Sequence, residues 1–170
     1  MERIYLVITH GDYEKNLADP GLTPNGKQQM KESKYQLSAQ FNLEECFLIS
    51  GTGNRHLDAC LEFAGRKPDI MSDFAGKKEV MAPDGKIIFP DGTKVPFTKL
   101  LSQYKDALKE TLNWLKKILS QSELGNILII GGRIVVIAAG VPRQEAKSAC
   151  IYRIWLTEEG ELKIKEFKSI

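Results

Sequence analysis

Residues 4–8 read Ile-Tyr-Leu-Val-Ile, five apolar positions in a row, and the run breaks at once into Thr9-His10-Gly11-Asp12. So short a run, rich in β-branched and aromatic side chains, reads as a strand buried on both faces. Such a strand needs cover above and below, which directs the chain toward a sheet layered between helices. In open sheets of that kind ligands gather just beyond the carboxyl ends of the strands. His10 stands at such an end, and Gly11 lets the backbone turn beside it.

The same pattern occurs twice more. Residues 46–49 (Cys-Phe-Leu-Ile) run into Ser50-Gly51-Thr52-Gly53, and residues 127–130 (Ile-Leu-Ile-Ile) run into Gly131-Gly132-Arg133. Helical segments lie between. Thr23-Pro24 is an N-cap followed by a proline suited to the first helical position, which predicts a helix to about residue 39. After Gly53, Leu57, Cys60, Leu61 and Ala64 share one side of a helix that Gly65 closes. Thr98 is the expected cap of the longest helix, to about residue 122, with Leu100, Leu101, Tyr104, Leu108, Leu112, Leu115 and Leu119 at helical spacing. Residues 69–72 suggest a third strand. Two Pro-Asp-Gly turns around Ile87-Ile88-Phe89 suggest an irregular hairpin outside the main alternation. For residues 134–139 β-branching and periodicity disagree, and helix and strand both stay open. Residues 149–156 and 162–167 alternate around Glu158-Glu159-Gly160, an edge hairpin. The expectation is one α/β domain over residues 1–170: three layers, a mostly parallel sheet with helices on both faces, and an antiparallel edge hairpin.

Composition narrows the function. A net charge of +2 over 170 residues is too mild to argue for nucleic acid or an anionic membrane. Cys46, Cys60 and Cys150 form no C-x-x-C pair, so neither a disulfide framework nor a zinc site is indicated. No basic leader precedes the first strand, and no apolar run nears the ~20 residues of a membrane span. The expectation is a cytoplasmic protein needing neither metal nor cofactor.

The strand ends suggest chemistry together. Glycine-rich turns near helix starts can offer backbone N–H groups to an anion. Arg55, in the first turn of its helix, could fork two N–H groups onto phosphate oxygens. A neutral imidazole nearby could attack phosphorus and form a phosphohistidine that water then hydrolyses. Other motifs fail on context. Gly21 to Lys27 has P-loop spacing, but a polar loop precedes it, Gln28 follows Lys27, and Pro24 looks like a helix start. Gly51-Thr52-Gly53 begins a dinucleotide fingerprint that His56 interrupts.

In order and spacing these segments resemble the histidine phosphatase superfamily, the phosphoglycerate-mutase-like proteins. The first strand of that family ends in Arg-His-Gly-Glu, matched here by Thr-His-Gly-Asp. Asn16 follows His10 by six residues, as an asparagine often does there. Leu22-Thr23-Pro24-Asn25-Gly26 resembles its Leu-Thr-x-x-Gly segment. The stretch from Ser50 to Arg55 resembles Ser-x-x-x-Arg with one residue inserted, and Gly140-Val141-Pro142 its late Gly-x-Pro. The resemblance implies a phosphorylated small molecule as ligand and His10 as phosphoryl acceptor. Arg55 and Asn16 would clamp oxygens, with Thr9, Gly11, His56, Gly132 and Arg133 around the phosphate. Asp73, or Glu79 as second choice, would be the proton donor. Two departures stand out: the family's first arginine is Thr9, and its second histidine falls at Gly131-Gly132-Arg133. A charge-assisted phosphate contact contributes roughly 1.5–3 kcal/mol. A donor aimed at transition-state charge contributes about 2.7–4 kcal/mol. Weak or altered phosphohydrolase activity is therefore one expectation, and an inactive ligand-binding module on the same fold is the other. A plain nucleotide-binding domain ranks behind both.

Overall fold

The computed structural model of the chain describes residues 2–37 and 41–167. In chain order its elements are β1 (Tyr5–Thr9), α1 (Pro24–Lys34), β2 (Phe47–Ser50), α2 (Asn54–Ala64), β3 (Ile70–Met71), β4 (Val80–Met81), β5 (Lys86–Ile88), β6 (Lys94–Pro96), α3 (Leu101–Leu119), β7 (Ile127–Gly131), α4 (Arg133–Ala138), β8 (Ile151–Leu156) and β9 (Leu162–Glu166). The main sheet has the order β3-β2-β7-β1-β8-β9. β3, β2, β7 and β1 run parallel, whereas β8 and β9 form the antiparallel edge hairpin. β4, β5 and β6 make a small antiparallel sheet of their own.

Side-chain alternation along the strands divides the core in two. Leu6, Ile8, Leu48 and Ile130 pack on one face against Met30 of α1 and Ala59, Cys60 and Phe63 of α2. Val7, Ile49, Ile127 and Ile129 face the other way, onto Leu115 and Leu119 of α3 and Val135 and Val136 of α4. Burying a side chain of this size contributes about 1.5–3 kcal/mol, so both helical layers are held by the strands they cover. Residues 134–138 resolve as helix, within α4, because Val135 and Val136 have α3 to pack against. On the edge strand β9, Lys163 and Lys165 alternate with the inward Leu162 and Ile164, and charge there discourages further strand pairing.

Several boundaries differ from the sequence expectation. Thr23 does cap α1, its hydroxyl accepting the Gly26 N–H at 3.0 Å with Pro24 at the first position. α1 stops at Lys34, however, and the next residue, Tyr35, is 86% exposed. With no apolar contact to gain, further turns have little to hold them; residues 38 and 39 of the expected helix lie outside the described residues. Thr98 is not the cap of α3. Pro96 leads into a 3-10 turn, Phe97–Leu100, and the helix proper starts at Leu101. The Phe97 N–H is committed to the Gly85 carbonyl at 3.0 Å, which ties this turn to the small sheet.

The strand order places the site. β7, late in the chain, inserts between β1 and β2, with Thr9 opposite Gly131 and Ser50 opposite Ile130. Three parallel strands therefore end side by side, bringing together segments that are 40 to 120 residues apart in sequence. Among the described residues no helix is long and apolar enough to cross a membrane.

Candidate active site

His10 follows the last residue of β1, and its main-chain N–H donates to the Gly131 carbonyl at 3.0 Å. Its Nδ1 lies 2.9 Å from the Gly11 carbonyl. A carbonyl only accepts, so Nδ1 carries the proton and Nε2 presents a lone pair. Arg55, at the second position of α2, donates to that lone pair through Nε at 3.3 Å. Tyr13 sets its ring edge-on to His10, centroids 5.3 Å apart, and lies beneath the Arg55 guanidinium at 5.2 Å. The His56 ring stands 5.1 Å from that of His10, nearly perpendicular. Imidazole, guanidinium and second imidazole are thus in one buried cluster.

Electrostatics follow from burial. Loss of water, then the neighbouring Arg55 charge, hold the His10 imidazole down to about 3. His56 is likewise held well below its ordinary value by burial first, then by His10 and Arg55. Both rings are neutral at physiological pH, and Arg55 carries the charge of the cluster. Three of its four remaining N–H donors are engaged: Nη2 bonds the carbonyls of Lys77 at 2.8 Å and Glu79 at 3.0 Å, and Nη1 bonds that of Lys78 at 3.3 Å. The fork expected to take phosphate oxygens holds three consecutive backbone carbonyls instead.

No protein-family model matches the sequence, and no curated protein matches it. Solved structures do. A phosphoserine phosphatase variant from Entamoeba histolytica, in complex with phosphoserine, superposes with a TM-score of 0.64 at 17% identity, covering 98% of this chain and 96% of its own. The fold is that of the histidine phosphatases. The protein histidine phosphatase SixA, complexed with tungstate, gives 0.56 at 16% identity over 98% and 97% of the two chains. A putative α-ribazole-5′-P phosphatase from Escherichia coli str. K-12 gives 0.58 at 12% identity over 99% and 98%.

Within this histidine-phosphatase fold the other candidate residues divide. His56, at the third position of α2, is in the cluster, its Nδ1 accepting the Gly53 N–H at 3.0 Å. Gly11 is a point of close approach: a Cβ there would collide with the Gly26 backbone of α1. The glycine amides do not form the open anion nest expected of them. The N–H of Gly51 goes to Ile130, that of Gly53 to His56, and that of Gly132 to the Ala75 carbonyl at 3.0 Å. The Thr9 hydroxyl turns away, donating to the Lys147 carbonyl at 2.6 Å and accepting the Cys150 N–H at 3.1 Å. Arg133 spans to the carbonyls of Ala146 and Arg143, at 2.9 and 2.8 Å. Asn16 is exposed on the loop after β1. Asp73 is exposed and accepts from the Thr52 hydroxyl at 2.7 Å. Asp73 and Glu79 both line a cleft of about 500 Å³ with Asp19, Thr52 and Asn54. A wider groove of about 1360 Å³ lies at the other end of β1, among Glu2, Tyr5 and Trp155, and none of the candidate residues lines it.

Three contributors were not visible in the sequence: Tyr13, Asp19 and the carbonyls of residues 77–79. Gly53 has no side chain with which to cap α2, so its cap comes from elsewhere. His56 takes the Gly53 N–H, and the Asp19 carboxylate takes that of Asn54 at 2.9 Å. Asp19 adopts a left-handed backbone, φ 44°, to reach it. The Asp19-Pro20 pair, a turn signal, was the only hint.

Proposed function

We propose that this chain binds the phosphoryl group of a small phosphorylated molecule between His10 and Arg55, with slow, metal-independent phosphohydrolase activity through a phosphohistidine. The observation that carries the reading is the His10 ring itself. Its proton is fixed on Nδ1 by the Gly11 carbonyl, so the Nε2 lone pair points 3.3 Å from the only guanidinium of the cluster. A ring held neutral down to about 3 is nucleophilic at any ordinary pH.

In the reaction Nε2 attacks phosphorus, the P–N bond forms as the ester P–O bond breaks, and the leaving oxygen takes a proton from a carboxylic acid, Asp73 or Glu79. Water then attacks the phosphohistidine and gives its proton back to that carboxylate, and the P–N bond breaks to release phosphate and restore the lone pair. Arg55 would exchange backbone carbonyls for phosphoryl oxygens as the group enters. Turnover is slow because Thr9 and Gly132 bring no positive charge, leaving one cation to balance the developing charge. The neighbours named for phosphoserine and α-ribazole-5′-P make a phosphate monoester the substrate class to try first. Incubation with labelled acetyl phosphate should leave acid-labile, base-stable label on the wild type and none on His10→Ala. Equal labelling of the two sinks the proposal.

The engagement of Arg55 by three carbonyls of residues 77–79 favours a second reading, a binding module on the same scaffold without turnover. Hydrolysis of p-nitrophenyl phosphate well above that of an Arg55→Ala control counts against it.

A further inference from the structure

The Nε2–H of His56 is buried, and none of the described residues accepts a hydrogen bond from it. The tautomer is set: Nδ1 accepts the Gly53 N–H, so the ring's proton sits on Nε2. A buried donor without a partner is unfavourable, which makes its position informative. The position is also built. A Cβ on Gly51 would lie 2.7 Å from the His56 ring, one on Gly53 3.0 Å from Nδ1, and one on Gly76 2.7 Å from Cε1, overlapping Nε2 as well. Glycines from three points of the chain thus form the slot that fixes the ring.

Gly132 is different. Its backbone, φ −85° and ψ 171°, is one that any residue adopts. A Cβ there would find only Nε2 of His56 at 3.9 Å and Cγ2 of Ile134 at 4.0 Å. Glycine at this position is required neither by backbone conformation nor by crowding; a methyl there would sit in ordinary van der Waals contact beside the unpartnered donor. Helix capping accounts for Nδ1 but for neither of these facts.

We propose that His56 Nε2–H and the space beside Gly132 form an oxyanion subsite, taking one oxygen of a tetrahedral oxyanion whose central atom faces Nε2 of His10. The identification of the oxyanion as a phosphoryl group rests on the function proposed above; the subsite is read from His56 and Gly132. It would supply a neutral donor to a group that Arg55 balances in charge.

Tungstate, a tetrahedral oxyanion, is the probe. Titrating it into protein labelled with ¹⁵N-histidine should shift the His56 Nε2–H resonance and slow its exchange with water. His56→Gln keeps a side-chain acceptor at the third helical position, where glutamine serves in capping boxes, but misplaces the donor. Its tungstate affinity should fall about tenfold with the melting temperature little changed. Gly132→Ala, which puts a methyl into the subsite, should weaken tungstate comparably while folding normally. If tungstate binds but the His56 resonance stays put, or both variants bind like wild type, the subsite is refuted even if His10 still acquires phosphate label. A shifted His56 signal with no label on His10 refutes the phosphohistidine reaction and leaves the subsite standing. No tungstate binding at all removes the subsite, whatever the labelling shows. Should His56→Gln misfold, Gly132→Ala and the wild-type titration still decide.

Discussion

Lowering the pH from 7 to 5 should destabilise this protein through two side chains alone. The chain has only two histidines, His10 and His56, and few other groups titrate in that window. His10 is held down to about 3 by burial and then by Arg55, and His56 is also lowered, by burial first. In the unfolded chain both take up a proton near pH 6.5; in the fold they do not. Below pH 6.5 the unfolded state therefore binds more protons, so stability falls as pH falls, and for His10 the loss continues to about pH 3. A depressed pKa costs about 1.4 kcal/mol per pH unit below the unfolded value, or roughly 2 kcal/mol for His10 at pH 5. That is a sizeable share of a typical 5–15 kcal/mol and a fall in melting temperature of roughly 4–8 °C for a chain of this length, to which His56 adds in the same direction. Urea unfolding at pH 7, 6 and 5 measures it, with the single and double variants His10→Gln and His56→Gln each removing a share of the slope. Stability constant to within about 0.5 kcal/mol between pH 7 and 5, or an undiminished loss in the double variant, would refute the neutral buried pair and the tautomers assigned from it.

Two further outcomes concern the surroundings of the cluster. Arg55→Ala should cost about 1.5–3 kcal/mol, the range for a hydrogen-bonded charged group, and should release residues 77–79, so that limited trypsin digestion cuts after Lys77 and Lys78 sooner than in wild type. Unchanged cleavage rates would show that the guanidinium does not hold that segment. Gly76→Ala should destabilise by about 1–3 kcal/mol, since the added methyl overlaps the His56 ring. A melting temperature equal to wild type would mean that the ring is free to move aside.

How much of this was legible beforehand depended on whether side chains or main chain carried the information. Residues 4–8, 46–49 and 127–130 announce buried parallel strands because two-sided burial demands unbroken apolar runs, and His10 and Arg55 were visible by position at the ends of two of them. That both would reach the same point required β7 to insert between β1 and β2, which alternation of strand and helix does not specify. The partners of Arg55 are the carbonyls of Lys77, Lys78 and Glu79, and a carbonyl has the same chemistry whatever residue bears it. The glycine amides of 51, 53 and 132 misled for the same reason: their N–H groups were expected to be free, and main-chain and imidazole acceptors had already taken them. Thr98 had the right chemistry for a cap, but Pro96 and the commitment of the Phe97 N–H to Gly85 moved the helix start to Leu101.

The grip of Arg55 on residues 77–79 inverts a familiar expectation for ligand binding. Most ligands tighten the loops they touch, but an oxyanion that recruits this guanidinium must take it from main-chain oxygens, so occupancy and local order compete for one side chain. Measured affinity is then the intrinsic affinity scaled by the fraction of molecules in which the segment has let go. A saturating ligand should leave this stretch more open to protease than the empty protein does.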